Sequence, residues 1–180
     1  MKDNEVTLFF LEQEISIIHA SVEKKQLLYN LSQFYQHDMA SFENSIKNLP
    51  NENGLYDSLP YFDKYWEDKN RHPFLIFYRE EPIGFVLVNN IGTESLVNWN
   101  MAEFFIISRC RRKGIGRYVA QKIIQQFPGV WEIAVIPENK SAYLFWKSVI
   151  EKISPNQNTC VESKIIQVPT PHQMNVFRID

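Results

Sequence analysis

A mixed, mostly antiparallel sheet flanked by helices, in the α/β (α+β) class, is the fold this sequence predicts. Three observations carry the prediction. The apolar runs "FLIFY" (74–78) and "IGFVLV" (83–88), joined by "REEP", read as an antiparallel hairpin. "AEFFII" (102–107) runs into a Gly-Ile-Gly turn and then into helical spacing, and "VWEIAVI" (130–136) returns as another strand, which makes a strand, helix, strand crossover. The chain has 180 residues, 44% of them hydrophobic, enough for one sizeable core and too few for a second independent domain.

The elements follow in order. "ISIIHA" (15–20) is a short strand, and Ser21 followed by Glu23 marks a helix start. Leu27, Leu28, Leu31, Phe34 and Tyr35 recur at helical spacing and predict an amphipathic helix over 22–36. Beyond the polar "NENG", Pro60 suits a helical first turn, and Tyr61, Phe62, Tyr65 and Trp66 share one face of a short second helix that ends at "NRHP". The hairpin and the fourth strand come next. Ile115, Tyr118, Val119, Ile123 and Phe127 form a helix stopped by "PG" at 128–129, and the fifth strand leads to a helix over "ENKSAYLFWKSV". Strands near 164–168 and 174–179 finish the chain.

Composition narrows the function. No apolar run is long enough to span a bilayer. The first residues, "MKDNEVTLFFLEQE", carry acids where a secretory signal needs basic residues and a long apolar stretch, so a cytoplasmic protein is expected. Cys110 and Cys160 lack metal-ligand spacing and read as free thiols; no metal site is expected. Lys and Arg against Asp and Glu number 8 to 15 in residues 1–100, 8 to 3 in 101–150 and 3 to 3 in 151–180. Positive charge gathered around one glycine turn fits a compact anion better than nucleic acid, which favours a basic stripe over a whole face.

That turn is "SRCRRKGIGRYVA" (108–120). A strand ending in glycine and feeding a helix leaves the first helical N–H groups unpaired, with the positive end of the helix dipole behind them. Anions bind there. Gly114 and Gly116 permit close approach to the backbone, and Arg111, Arg112 and Lys113 add full charges, a combination suited to a pyrophosphate. The same letters also fit a merely solvated basic loop. A Walker loop would need Gly-Lys-Ser/Thr where Gly116 is followed by Arg117 and Tyr118, and a dinucleotide fingerprint would need glycine or alanine where Val119 stands.

"RRKGIG" (111–116) resembles the R/Q-x-x-G-x-G/A signature of the GNAT superfamily of acyl-CoA-dependent N-acetyltransferases. "PENKSAYLFW" (137–146) resembles its second motif, N-x-x-A-x-x-hydrophobic-aromatic. "YFDKYWEDKNRHPFLI" with the Gly-Phe strand after it also looks like a group of uncharacterised predicted acetyltransferases in that superfamily. The resemblance implies a three-layer fold of about seven strands and about four helices, with residues 1–14 an N-terminal extension and 15–180 a single GNAT-like domain. It implies acetyl-CoA as co-substrate, no metal, and acetyl transfer to a primary amine of a small molecule or peptide. The backbone from Arg112 through Lys113, Gly114, Ile115 and Gly116 to Arg117 would wrap the CoA pyrophosphate, with the side chains of Arg111 and Lys113 as counter-charges. Phe105, Ile106 and Ile107 would pair with the pantetheine and offer an N–H to the thioester oxygen. Asn139 would reach the pantetheine arm, or serve as a plain helix N-cap.

Trp146 stands where many relatives carry a tyrosine that protonates the leaving thiolate. It keeps a place in the cofactor site, but an indole is no practical acid, so Tyr143 or water is left for that step. Glu103, on the strand beside the thioester, is the candidate base, or else a charge on the other strand face. The segment 55–78 holds Tyr56, Tyr61, Phe62, Tyr65, Trp66, Phe74, Phe77 and Tyr78 among Asp57, Asp63, Glu67 and Asp68. This reads as an acidic, aromatic entrance for a cationic amine, or as core aromatics beside solvated acids. A non-catalytic acyl-CoA-binding or sensing protein is the alternative, and a monomer or homodimer is expected.

Overall fold

The computed structural model describes residues 13–42, 49–153, 160–166 and 172–179. Seven strands form one sheet in the order β1-β2-β3-β4-β5-β7-β6. They are β1 (Ile15–His19), β2 (Arg71–Tyr78), β3 (Glu81–Asn89), β4 (Trp99–Ile106), β5 (Trp131–Val135), β6 (Cys160–Ile166) and β7 (His172–Ile179). Every neighbouring pair is antiparallel except β4 and β5. Among the described residues there are three α-helices, α1 (Lys25–Ala40), α2 (Ile115–Gln126) and α3 (Lys140–Ile153), with short 3₁₀ turns at Val22–Lys24, Phe62–Trp66 and Ser108–Cys110.

The layers follow from strand alternation. On one face Ile76, Val86, Val88, Ile106, Ile133 and Phe177 meet Ile115, Val119 and Ile123 of α2 and Trp146, Val149 and Ile150 of α3. On the other, Leu75, Phe85, Leu87 and Phe105 meet Leu28 and Leu31 of α1 and Phe62 and Tyr65 of the 3₁₀ turn. The expected mixed sheet between helical layers is therefore present.

Three departures have local causes. Phe34 is exposed, because the core-facing stripe of α1 runs through Leu28 and Leu31. The expected helix around Pro60 is one 3₁₀ turn entered through Tyr61 in the left-handed region (φ 57°), with Phe62 and Tyr65 eclipsed toward the core. Strand β2 starts at Arg71 and runs through Pro73, which lies just past the last β1 pairing, His19 with Phe74. Its carbonyl accepts the Ala20 N–H at 2.8 Å, so the missing N–H costs no β1 ladder bond beyond His19. The expected N-terminal extension, apart from Gln13 and Glu14, lies outside the described residues, as do 167 and 168 of the expected sixth strand.

The feature that positions the site is the incomplete joint between β4 and β5. They pair in parallel only at Trp99 with Trp131 and Asn100 with Glu132. One step further along β4 the register with β3 shifts: Val88 faces Met101 and Leu87 faces Glu103, so Ala102 is an extra residue. A bulge of this kind bends its strand. From Ala102 onward β4 has no strand partner toward β5 among the described residues, and its backbone edge opens into the split.

Candidate active site

Strand β4 ends at Ile106 against the loop 107–114. Here the 3₁₀ turn Ser108–Cys110 uses the Arg111 N–H on Ser108 O at 3.2 Å. Two of the next three residues are left-handed, Arg112 at φ 60° and Gly114 at φ 85°. Gly114 (φ 85°, ψ −17°) passes directly into the helical Ile115, and a left-handed residue beside a right-handed one turns successive N–H groups to one side, as in an anion nest. The first helical bond of α2 is Tyr118 N–H to Gly114 O at 3.1 Å. The amides of Ile115, Gly116 and Arg117 therefore precede any intrahelical acceptor. Arg112, Lys113 and Gly114 are exposed, whereas Ile115 is buried and anchors the helix start in the core. The loop thus presents backbone donors, a helix dipole and two long cationic side chains on one surface.

Other members of the expected set are placed by packing. Arg111 turns away from the loop: its Nε donates to Ile106 O at 2.6 Å, its Nη2 is bonded to Asp38 of α1, and its guanidinium lies 5.4 Å over the Phe105 ring. It ties the end of β4 to the end of α1. A Cβ on Gly116 would come within 3.2 Å of the Phe145 ring, so this glycine also admits α3 close to α2. Arg117 bonds the Ser148 hydroxyl of α3 at 3.2 Å. Asn139 caps α3, its Oδ1 accepting the Ala142 N–H at 3.0 Å and the Ser141 hydroxyl at 2.9 Å. Trp146 is buried edge-to-face on Phe104 of β4, ring centroids 5.2 Å apart. Tyr143 packs against Phe177 at 5.2 Å, in the same layer.

Phe105 and Ile106 are buried on opposite faces of β4, and Ile107 closes the strand with its N–H on Ile83 O at 2.8 Å. Glu103 faces the α1 layer. It is half-buried, on the side where the Tyr35 ring of α1 packs on Phe105. Loss of water disfavours the charged form and pushes the carboxyl up to about 7, with the Tyr35 hydroxyl pulling the other way. Nearby, Tyr65 accepts from Asn89 Nδ2 at 3.1 Å and is held up at about 12, first by burial. Glu103 and Tyr143 thus stand on opposite sheet faces, with the split between them. Tyr35 fits the apolar face of α1 and Tyr65 the aromatic segment 55–78; nothing in their spacing points to a carboxylate far along the chain.

A stability consequence follows from the Glu103 shift. Between its ordinary value of 4.5 and about 7 the folded chain holds a proton that the unfolded chain has released, so this residue's contribution favours folding below 4.5 and is lost as pH rises through 7. Glu103→Gln removes that slope. The variant should gain stability on the parent between pH 5 and 8.5 by up to about 3 kcal/mol, read from urea midpoints across pH; parallel pH dependences would contradict the assignment.

The aromatic, acidic segment is built differently from the expected entrance. Tyr56, Phe62, Tyr65 and Phe74 are buried. Asp63 pairs with Lys25 at 2.8 Å, Glu67 with Lys64 at 2.6 Å and Asp68 with Arg71 at 3.7 Å, while the Arg71 guanidinium lies 5.4 Å from the Tyr61 ring centroid and 5.3 Å from that of Tyr65. These acids are largely neutralised by their neighbours.

The family model of the Acetyltransferase (GNAT) family matches residues 31–149, which include the loop, the bulged strand and most of α3. The chain belongs to the GNAT acetyltransferase family. Enzymes of this family use acetyl-CoA as co-substrate. Solved structures agree on the fold. An acetyltransferase from Thermus thermophilus superposes with a TM-score of 0.62 at 13% identity, over 92% of this chain and 96% of its own. The yncA protein of Salmonella typhimurium, solved with its cofactor acetyl-CoA, gives 0.58 at 11% identity over 92% and 93%. The ribosomal-protein-S18-alanine N-acetyltransferase of Escherichia coli gives 0.58 at 10% over 92% and 92%. No curated protein sequence matches the chain. Among the described residues this GNAT domain has no cluster of three metal-ligating side chains and no helix long and apolar enough to cross a membrane.

Proposed function

We propose that this GNAT protein moves the acetyl group of acetyl-CoA to a primary amine of a small molecule or peptide by direct attack on the thioester, with Glu103 as base. The observation that carries the reading is a glycine loop whose first helical amides lack intrahelical acceptors, at the end of a strand whose edge opens into a split and which carries the half-buried Glu103. Burial pushes that carboxyl up to about 7. A base must sit near the operating pH, since one that is too weak leaves the amine charged and one that is too strong is already protonated. An alkyl amine with a pKa near ~10.4 pays roughly 4 kcal/mol to become neutral at physiological pH. Cationic acceptors are therefore those that gain most from Glu103, and the charge that receives them is this carboxylate rather than the paired Asp63, Glu67 and Asp68.

The backbone amides from Arg112 to Arg117, helped by the Lys113 charge, hold the pyrophosphate, and the edge of β4 turned away from β3, at Ile106, pairs with the pantetheine, since the Ile107 N–H and O are held by Ile83 and Cys110. That places the thioester in the split. Glu103 accepts the amine proton, directly or through one water, as nitrogen bonds to the carbonyl carbon. The Ile106 N–H, which faces away from β3, stabilises the oxyanion, a preorganised donor of the kind worth several kcal/mol. As the C–S bond breaks, the thiolate takes its proton from Tyr143 or solvent; a thiol titrating near ~8.5 needs no strong acid. Asn139 keeps its Nδ2 for the pantetheine while its Oδ1 caps α3. Trp146 supports β4 from behind through Phe104.

The test is amine-dependent release of the CoA thiol from acetyl-CoA, measured with alkyl amines and with peptides bearing free N-termini. Thiol release that tracks amine concentration supports the transferase. Binding of acetyl-CoA without consumption in any amine would instead make the chain an acyl-CoA-binding module.

A further inference from the structure

We propose that Arg111, oriented by Asp38 of α1, is a positioning residue for the thioester: it caps the Ile106 carbonyl, so that the end of β4 offers the Ile106 N–H alone to the thioester oxygen. The proposal rests on the transferase reading. Both polar groups of Ile106 face away from β3. Phe105 O lies against Gly84 of β3, where a Cβ would strike it, and a planar trans peptide turns the Ile106 N–H the opposite way. In the next peptide the Ile107 N–H is bonded to Ile83 O at 2.8 Å, and Ile106 O, on the far side, accepts Arg111 Nε at 2.6 Å. A donor and an acceptor therefore stand side by side on the edge of β4 that opens into the split.

An oxyanion drawn to the N–H would be repelled by that neighbouring carbonyl oxygen. Arg111 removes the repulsion by engaging the carbonyl in a charge-assisted bond, and it brings positive charge to the same end of the strand. The side chain is held from three directions. The turn Ser108–Cys110 folds the chain back, with the Arg111 N–H on Ser108 O at 3.2 Å, so Arg111 returns to Ile106. The guanidinium lies 5.4 Å over the Phe105 ring. Its Nη2 donates to Asp38, which stands in the last turn of α1, where a carboxylate opposes the helix dipole. Arg111 answers that misplaced charge, and its rigid planar fork keeps Nε on the carbonyl while Nη2 keeps the carboxylate. The two side chains are 42% and 38% exposed, so the fold should survive the loss of either.

The experiment uses the full chain and its variants Arg111→Gln, Asp38→Asn and Asp38→Glu. Calorimetry gives acetyl-CoA affinity, and amine-dependent thiol release at saturating acetyl-CoA gives kcat. Arg111→Gln should lower kcat about 10- to 10²-fold, the loss expected when reacting groups are misplaced by about an ångström, with affinity within about twofold of the parent. Asp38→Asn, which alters α1 alone, should show the same split at smaller size. Asp38→Glu keeps the carboxylate and should recover most of the activity. An affinity loss of about tenfold or more in Arg111→Gln with kcat retained would make Arg111 a pyrophosphate counter-charge and overturn the positioning role. An unchanged kcat in both Arg111→Gln and Asp38→Asn would overturn it as well. No thiol release by the parent with any amine would instead overturn the transferase reading, and the positioning role with it.

Discussion

Glu103→Gln should lower kcat for amine acetylation by about 10²- to 10⁴-fold, the range over which a positioned base contributes, while acetyl-CoA binds as in the parent. The two effects separate because Glu103 faces the α1 layer, whereas the loop proposed to take the pyrophosphate follows Ile107, beyond the end of β4. The substitution keeps shape and burial and removes only the proton acceptor. Its size should depend on the acceptor. An alkyl amine must lose a proton at a cost of roughly 4 kcal/mol, whereas an α-amine with a pKa near ~8 is already partly neutral at physiological pH. The deficit should therefore be largest for lysine-like amines and should shrink as pH rises. A kcat unchanged at pH 7 for an alkyl amine would remove Glu103 from the mechanism.

The double variant Arg112→Glu/Gly114→Asp should lose acetyl-CoA affinity by about 10²- to 10³-fold. Two carboxylates would replace one cation and one neutral residue beside a pyrophosphate, and like charges a few ångströms apart near a protein surface cost about 1 to 3 kcal/mol each. Conformation adds to charge, because Gly114 sits at φ 85°, a region that an aspartate enters only with strain. Both residues are exposed, so the fold should survive. Calorimetric titration checks the loss, and circular dichroism checks the fold. Retained affinity would show that the loop is only a solvated basic turn.

Much of the fold was readable from spacing alone. The 2-residue period of the hairpin and the 3.6-residue period of α1, α2 and α3 survive tertiary packing because one face of each is buried. The two motifs were readable because they are local: a nest and a helix start are made by consecutive residues. The rest depended on partners far along the chain. The bulge at Ala102 arises from a register slip between β3 and β4, which no single-strand pattern encodes. Arg111 sat among cations in the sequence, yet its partner is Asp38, 73 residues earlier. Gly116 read as a ligand-facing glycine, and the nearest atoms to its absent Cβ belong to Phe145 of another helix. The acids of 57–68 looked like an open entrance because Lys25 and the stacked Arg71 could not be placed against them. Tyr35 fits an apolar stripe, and only folding brings its ring onto Phe85 and Phe105.

The central claim is that this GNAT domain takes acetyl-CoA through its glycine loop, and calorimetric titration of the parent chain with acetyl-CoA, CoA and NAD tests it most directly. Acetyl-CoA and CoA should both bind through the shared pyrophosphate and pantetheine, with no heat from NAD. Binding of NAD in preference, or no heat from acetyl-CoA, would contradict the account.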